Sequence, residues 1–332
     1  MLNKFLFIFF LFFWFTSPAF AANQIVVLKI SGAINPAVAE FVSHEIHKAN
    51  KDQQALIVLN MDTPGGLDTS MRQIIKKIQS SEVPVATYVS PSGSRAASAG
   101  AFITIASHIA AMAPGTNIGA AHPVNMMGGG GEGDQAKTMK EKVVNDAAAY
   151  IRSLAELRKR NSHWAELAVV KSVSISAEEA KKLNVIDLIA ADIQALILAV
   201  NNREVRVASG LKLLKTKDQE IVFQEMNARQ KMLDIISNPN VAYMLLMIGM
   251  VGLYFELSNP GLVFPGVIGA VSMVLALYAM QTLPIDYAGL LLIILGALFF
   301  IAEIIVSGII LFSLKSPGPY KFPHLTIATF RL

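Results

Sequence analysis

With 332 residues, 53% of them hydrophobic and only 16% charged, the chain is too apolar for a purely soluble protein and long enough for one or two domains. Its net charge of +4 is mild and is not gathered into a basic block, which argues against nucleic acid as a partner. It contains no cysteine, so disulfides, thiolate catalysis and zinc–thiolate sites are excluded together.

The chain opens on a secretory signal pattern. Lys4 supplies the positive start, Phe5–Phe15 is a dense apolar run, and Ala19-Phe20-Ala21 reads as an A-x-A cleavage site. Residues 1–21 are therefore expected to be removed, and the domain over 22–239 to be exported. Ile25–Ile30 reads as a strand. Pro36–Ala49 places Val38, Phe41, Val42, Ile46 and Ala49 on one helical stripe. Ala55–Met61 is an apolar run suited to a strand covered on both faces. Gly66 leads into an amphipathic helix through Ile78. Val83–Val89 is a third strand and Ser98–His108 a third helix. Ile109–Met112 and Asn117–Ala121 read as short strands around Pro114-Gly115-Thr116. Strand and helix alternate over short connections, which predicts an α/β fold with a parallel βα core.

Four consecutive glycines, Gly128–Gly131, then interrupt the pattern and read as a lid, with a passive linker as the alternative, before a helix over about Ala136–Arg160. Ser176-Ala177-Glu178-Glu179 is a capping box. Val185–Ile189 reads as a strand, Asp192–Val200 as a short helix and Val205–Phe223 as a polar hairpin region. From Asn240 the composition turns apolar. Val241–Leu257, Leu262–Leu283 and Ala288–Ile310 are candidate spans of a membrane region over 240–312, followed by a polar tail over 313–332. Glu256 and Glu303 lie near span ends, from which a carboxylate reaches the interface.

Two stretches carry chemistry. Ser90-Pro91-Ser92-Gly93-Ser94-Arg95-Ala96-Ala97-Ser98-Ala99-Gly100 runs from a strand through a turn into a helix start. Such a turn projects a serine hydroxyl while the following N–H groups point the same way, as at a nucleophile elbow. The plainer reading makes Ser98 a helix cap. Asp62-Thr63-Pro64-Gly65-Gly66-Leu67 closes the second strand, and its tandem glycines let backbone N–H groups approach a ligand. The N–H groups of Gly66, Leu67 and Ala99 could together hold an oxyanion. A serine also needs a base. His108, on the Ser98 helix, reads as packing. His122, just before Pro123, is a candidate, and so are Lys137, Lys140 and Lys142 beyond the glycines. A lysine serves only where burial favours its neutral form.

In this order and spacing, Asp62-Thr63-Pro64-Gly65-Gly66, Ala96-Ala97-Ser98-Ala99-Gly100 and Met112-Ala113-Pro114-Gly115-Thr116-Asn117-Ile118-Gly119-Ala120 resemble the NfeD family, membrane-bound serine proteases on the ClpP/crotonase fold. The resemblance covers about residues 24–310. It implies a Ser–Lys dyad with Ser98 as nucleophile and, as base, a neutral, buried Lys142 just before Val143-Val144-Asn145-Asp146. Soluble ClpP peptidases use a histidine about as far downstream as His122, which stays as the alternative base. In those peptidases the histidine is two residues before a proline and here it is one, an offset that in a strand turns the side chain to the other face. The resemblance further implies apolar segments of peptides or membrane proteins as substrates, a stomatin-like partner and a homo-oligomer. No cofactor and no metal are implied, and the protease domain is expected on the extracytoplasmic side of the cell (inner) membrane. Two other readings stay open: a crotonase-type acyl-CoA enzyme using the same glycine amides, and a catalytically silent scaffold. Long family members add a soluble β-barrel, in whose place Ser313–Leu332 is polar and proline-rich.

Overall fold

The structure is a computed structural model that describes residues 23–123, 134–258 and 263–280, with a few helical positions between 291 and 299. The expected signal segment, the four glycines, Glu303, most of the third expected span and the polar tail lie outside the described residues. The rest falls into two compact units with the boundary between Ile235 and Ile236.

The first unit is built on a six-stranded, all-parallel sheet. Its strands are β1 (Ile25–Ser31), β2 (Leu56–Asp62), β3 (Val85–Val89), β5 (Ile109–Met112), β8 (Leu188–Ile189) and β11 (Ile221–Gln224), in the order β11-β1-β2-β3-β5-β8. β3 is buried throughout, and β2 nearly so, as interior parallel strands require. One face packs α1 (Pro36–Lys51), α2 (Asp68–Gln79), α3 (Ala99–Ala106) and the later part of α4 (Asp134–Leu157). The other face is covered by α7 (Ile193–Val200) and the hairpin of β9 (Glu204–Val207) and β10 (Gly210–Leu213). A small second sheet, β4-β6-β7, is formed by Arg95–Ala97, Asn117–Gly119 and Ser174–Ser176.

Local chemistry sets most helix starts. Asn35 Oδ1 accepts the Val38 N–H at 3.0 Å and Pro36 opens α1. Ser176 and Glu179 form the expected capping box at the head of α6 (Ala177–Lys182). Other expectations shift. The helix after Ser98 stops at Ala106, because Ser107 and His108 turn inward to serve β3. The expected hairpin over Val205–Phe223 divides: β9 and β10 pair with each other, while β11 joins the main sheet beside β1.

The chain runs on through α5 (Ser162–Val170) and, after β11, α8 (Ala228–Ile236). In the second unit, α9 (Pro239–Ser258) contains a stretch, Asn240–Ser258, long and apolar enough to cross a membrane. Its neighbour α10 (Val263–Ala279) lies within the expected Leu262–Leu283. Small residues let the two backbones touch: a Cβ on Gly269 would lie 2.6 Å from Leu253 N.

Candidate functional site

The carboxyl ends of β2 and β3 are stitched together. The Thr63 N–H donates to Arg95 O at 2.8 Å, the Ala97 N–H to Thr63 O at 3.1 Å, and the Arg95 N–H to Asp62 Oδ1 at 3.1 Å. These bonds hold the glycine loop beside the short strand β4 that delivers Ser98. The contact is close: a Cβ on Gly65 would sit 2.6 Å from Ser98 Cβ and 3.1 Å from its Oγ. Glycine is needed there twice over, since Gly65 has φ +119°.

Ser98 itself has φ 51° and ψ −116°, a conformation L residues rarely adopt, at a cost of about 1–3 kcal/mol. Its N–H donates to Gly119 O at 3.0 Å, which pins the turn. Its half-buried side chain makes no cap bond to α3, and its Oγ has no hydrogen-bond partner among the described residues. A helix cap would use that oxygen; here it is left free.

The donors divide. The N–H groups of Gly66 and Ala99 have no acceptor among the described residues. The Leu67 N–H is committed to Ile34 O at 2.9 Å, because the Ile34 segment crosses hard against Gly66, where a Cβ would lie 2.2 Å from Ile34 O. The expected third donor is thus already bonded.

Among the possible bases, His108 is buried and accepts the Val85 N–H on Nδ1 at 3.1 Å. Burial first, then the nearby Arg158 and Arg160, pushes its pKa down to about 3, so it is a neutral core histidine. The half-buried His122 follows β6 in a loop, not the expected strand, and bonds Val169 O through Nδ1 at 2.9 Å. Lys142 is exposed, where a buried amine was expected, because it stands on the unpacked end of α4. Residues 137–143 are all exposed, and packing begins at Ala147 and Ala148. Asp146 and Tyr150 follow Lys142 at one-turn spacing, and both contact Arg72 on α2. That row thus touches α2 through Asp146 and Tyr150, and α3 through Tyr150 on Phe102. Lys140, two positions away, continues the row of Val144, Ala148 and Ile151. Met139 and Val143, 61% and 47% exposed, carry the buried stripe of Ala147, Ile151 and Leu154 out into solvent.

Sequence reasoning missed Gly65 as the residue against Ser98, and also Thr63, Gly119 and Arg72. The tandem glycines and the Asp68–Arg72 spacing were visible signals for two of them.

The family description "NfeD1b, N-terminal domain" matches residues 24–223, and "NfeD integral membrane domain" matches 240–315. The chain is 36% identical over 289 residues to the membrane-bound protease PH1510 of Pyrococcus horikoshii, covering 86% of this chain and 65% of that protein. It is 28% identical over 290 residues to the membrane protein NfeD1b of Bacillus subtilis, covering 86% and 63%. It thus spans a little under two thirds of the length of these relatives. Among solved structures, the 1510-N membrane-bound stomatin-specific protease matches as a serine-to-alanine mutant at 34% identity and TM-score 0.57, covering 62% of this chain and 99% of that one. A lysine-to-alanine mutant in complex with a substrate peptide matches at 34% identity and TM-score 0.59, covering 65% and 98%.

Proposed function

The chain belongs to the NfeD family, and from that premise we propose that it is a membrane-anchored serine endopeptidase working through Ser98 and Lys142. The observation that carries the reading is Ser98 itself: a strained residue with an unbonded hydroxyl, set against a glycine loop. The mutants in which the related protease was solved exchange a serine and a lysine, which supports the same pair of residue types.

In this reading an apolar peptide segment lies along the cleft and covers Met139 and Val143. That cover strips water from the neighbouring Lys142, which becomes a neutral amine. Lys142 Nζ takes the Ser98 Oγ proton as Oγ bonds to the peptide carbonyl carbon. The carbonyl oxygen becomes an oxyanion held by the N–H groups of Gly66 and Ala99. The C–N bond breaks, the leaving amine takes the proton from Lys142, and an acyl-serine remains. Water deprotonated by Lys142 then releases it. A stomatin-like protein is the proposed substrate or partner, following the description of the 1510-N protease. Homo-oligomeric assembly and an extracytoplasmic protease domain complete the proposal.

The test uses the full chain in detergent micelles with apolar peptides. Ser98→Ala and Lys142→Ala are expected to abolish cleavage, while His122→Ala retains it. Undiminished turnover by Ser98→Ala excludes the mechanism; loss in His122→Ala alone transfers the base role to the histidine.

A further inference from the structure

Each of three helices belongs to one part of the proposed machinery. α2 leads out of the glycine loop, α3 leads out of Ser98, and α4 carries Lys142. One side chain joins all three. Arg72 on α2 donates through Nε to Asp68, the first residue of the same helix, at 2.9 and 3.1 Å. Through Nη2 it donates to Asp146 of α4. Its guanidinium also lies 4.3 Å over the Tyr150 ring of α4. Tyr150 in turn stacks on Phe102 of α3, with ring centroids 6.1 Å apart. Phe102 sits one turn beyond Ser98, and Asp146 one turn beyond Lys142.

We propose that Arg72 is a positioning residue that clamps α4 to α2 and α3 and so aims the turn bearing Lys142 at Ser98. The inference rests on the Ser98–Lys142 reading. Arg72 stands at the border of α4: beyond it Ala147, Ala148, Ile151 and Leu154 are buried, and before it residues 137–143 are exposed. In the proposal, Arg72 sets the direction of the exposed turn that carries Lys142. A lysine could not replace it, because only a planar fork can meet two carboxylates and a ring face at once. Burial works against the charge, but Asp68 and Asp146 outweigh it and raise the Arg72 pKa. Asp68 and Asp146 are themselves 63% and 68% exposed, so these ion pairs add little to stability. What they supply is orientation.

The experiment measures fluorophosphonate labelling of Ser98 in the full-length protein, beside amide exchange along α4 and the melting temperature. Arg72→Ala is expected to slow labelling about ten- to a hundredfold, the cost of a misplacement of about 1 Å. Exchange should quicken at residues 137–146 while 147–157 keep their protection. Asp146→Ala is expected to do the same, and the double variant to be no worse than either single one. Peptide turnover should lose kcat with little change in KM. Lys142→Ala separates the two readings. Wild-type labelling in that variant refutes the lysine base itself. If Lys142→Ala is inert while Arg72→Ala and Asp146→Ala label at the wild-type rate, the base stands and the clamp is overturned. Loss of protection spread evenly over α4, with a lower melting temperature, also overturns it. Should Arg72→Ala not fold, Asp146→Ala decides alone, at a side chain that is 68% exposed.

Discussion

Replacing Gly65 by alanine tests how Ser98 is held without altering a reacting atom. The new methyl group would sit 2.6 Å from Ser98 Cβ and 3.1 Å from Oγ. Carbon atoms make ordinary contact at about 3.5–4.0 Å, so Ser98 must retreat by roughly 1 Å or the glycine loop must refold. Retreat is blocked, since the Ser98 N–H is tied to Gly119 O at 3.0 Å and the Ala97 N–H to Thr63 O at 3.1 Å. Refolding is also costly, because alanine at φ +119° adds about 1–3 kcal/mol of backbone strain. A reacting group displaced by about 1 Å loses about a hundredfold in rate. Gly65→Ala is therefore expected to lower kcat/KM on an apolar peptide about a hundredfold or more, and fluorophosphonate labelling of Ser98 in proportion. The melting temperature should fall as well, by about 2–12 °C for a strain of about 1–3 kcal/mol in a domain of this size. Wild-type turnover and labelling in Gly65→Ala refute the claim that the glycine loop fixes the nucleophile.

Three further outcomes follow from the same structure. Ser98→Gly is expected to be inactive yet to melt above Ser98→Ala, by about 1 kcal/mol net, because glycine accepts φ 51° and ψ −116° while adding some unfolded-state entropy; equal melting points sink the strain argument. His108, with its pKa lowered from 6.5 to about 3, binds a proton in the unfolded chain before it does in the fold. Its stabilising contribution is complete above about pH 6.5 and is lost progressively towards pH 3, by a few kcal/mol in order of magnitude; urea midpoints against pH should show this slope, and His108→Asn should flatten it. Met139→Ser with Val143→Ser, both at exposed positions, should leave the melting temperature unchanged, raise KM for apolar peptides about tenfold and lower kcat as well, since the cover over Lys142 is lost; unchanged KM and kcat remove the helix from the substrate path.

What could be read from the sequence was what local chemistry decides. The strand–turn–helix at Ser98, the tandem glycines and the Ser176 capping box each depend on residues a few positions apart, and each is found where the sequence put it. Features made by distant segments were not readable. β11 is four residues long and is a strand only because it pairs with β1. β4 exists through its bonds to Thr63 and its pairing with β6. The Leu67 N–H counted as a donor because it follows two glycines, yet the crossing of Ile34 takes it. Arg72 and Asp68 announced themselves at one-turn spacing, but nothing in either helix names Asp146 as the third member.

The exposure of Lys142 gives the proposed site its order of events. An amine acts as a base only when water is kept from it, and the unpacked end of α4 does not keep water out. The fold instead leaves an apolar stripe beside the lysine, Met139 and Val143, continuous with residues already buried one turn on. Whatever covers that stripe also desolvates the amine. A polar peptide would gain nothing by lying there, and the base would stay wet. On the proposed reading, a preference for apolar segments would reside in how the base is switched on and would need no separate specificity pocket. It follows that apolarity in the substrate should act on kcat as well as on KM, since a better cover makes a drier amine.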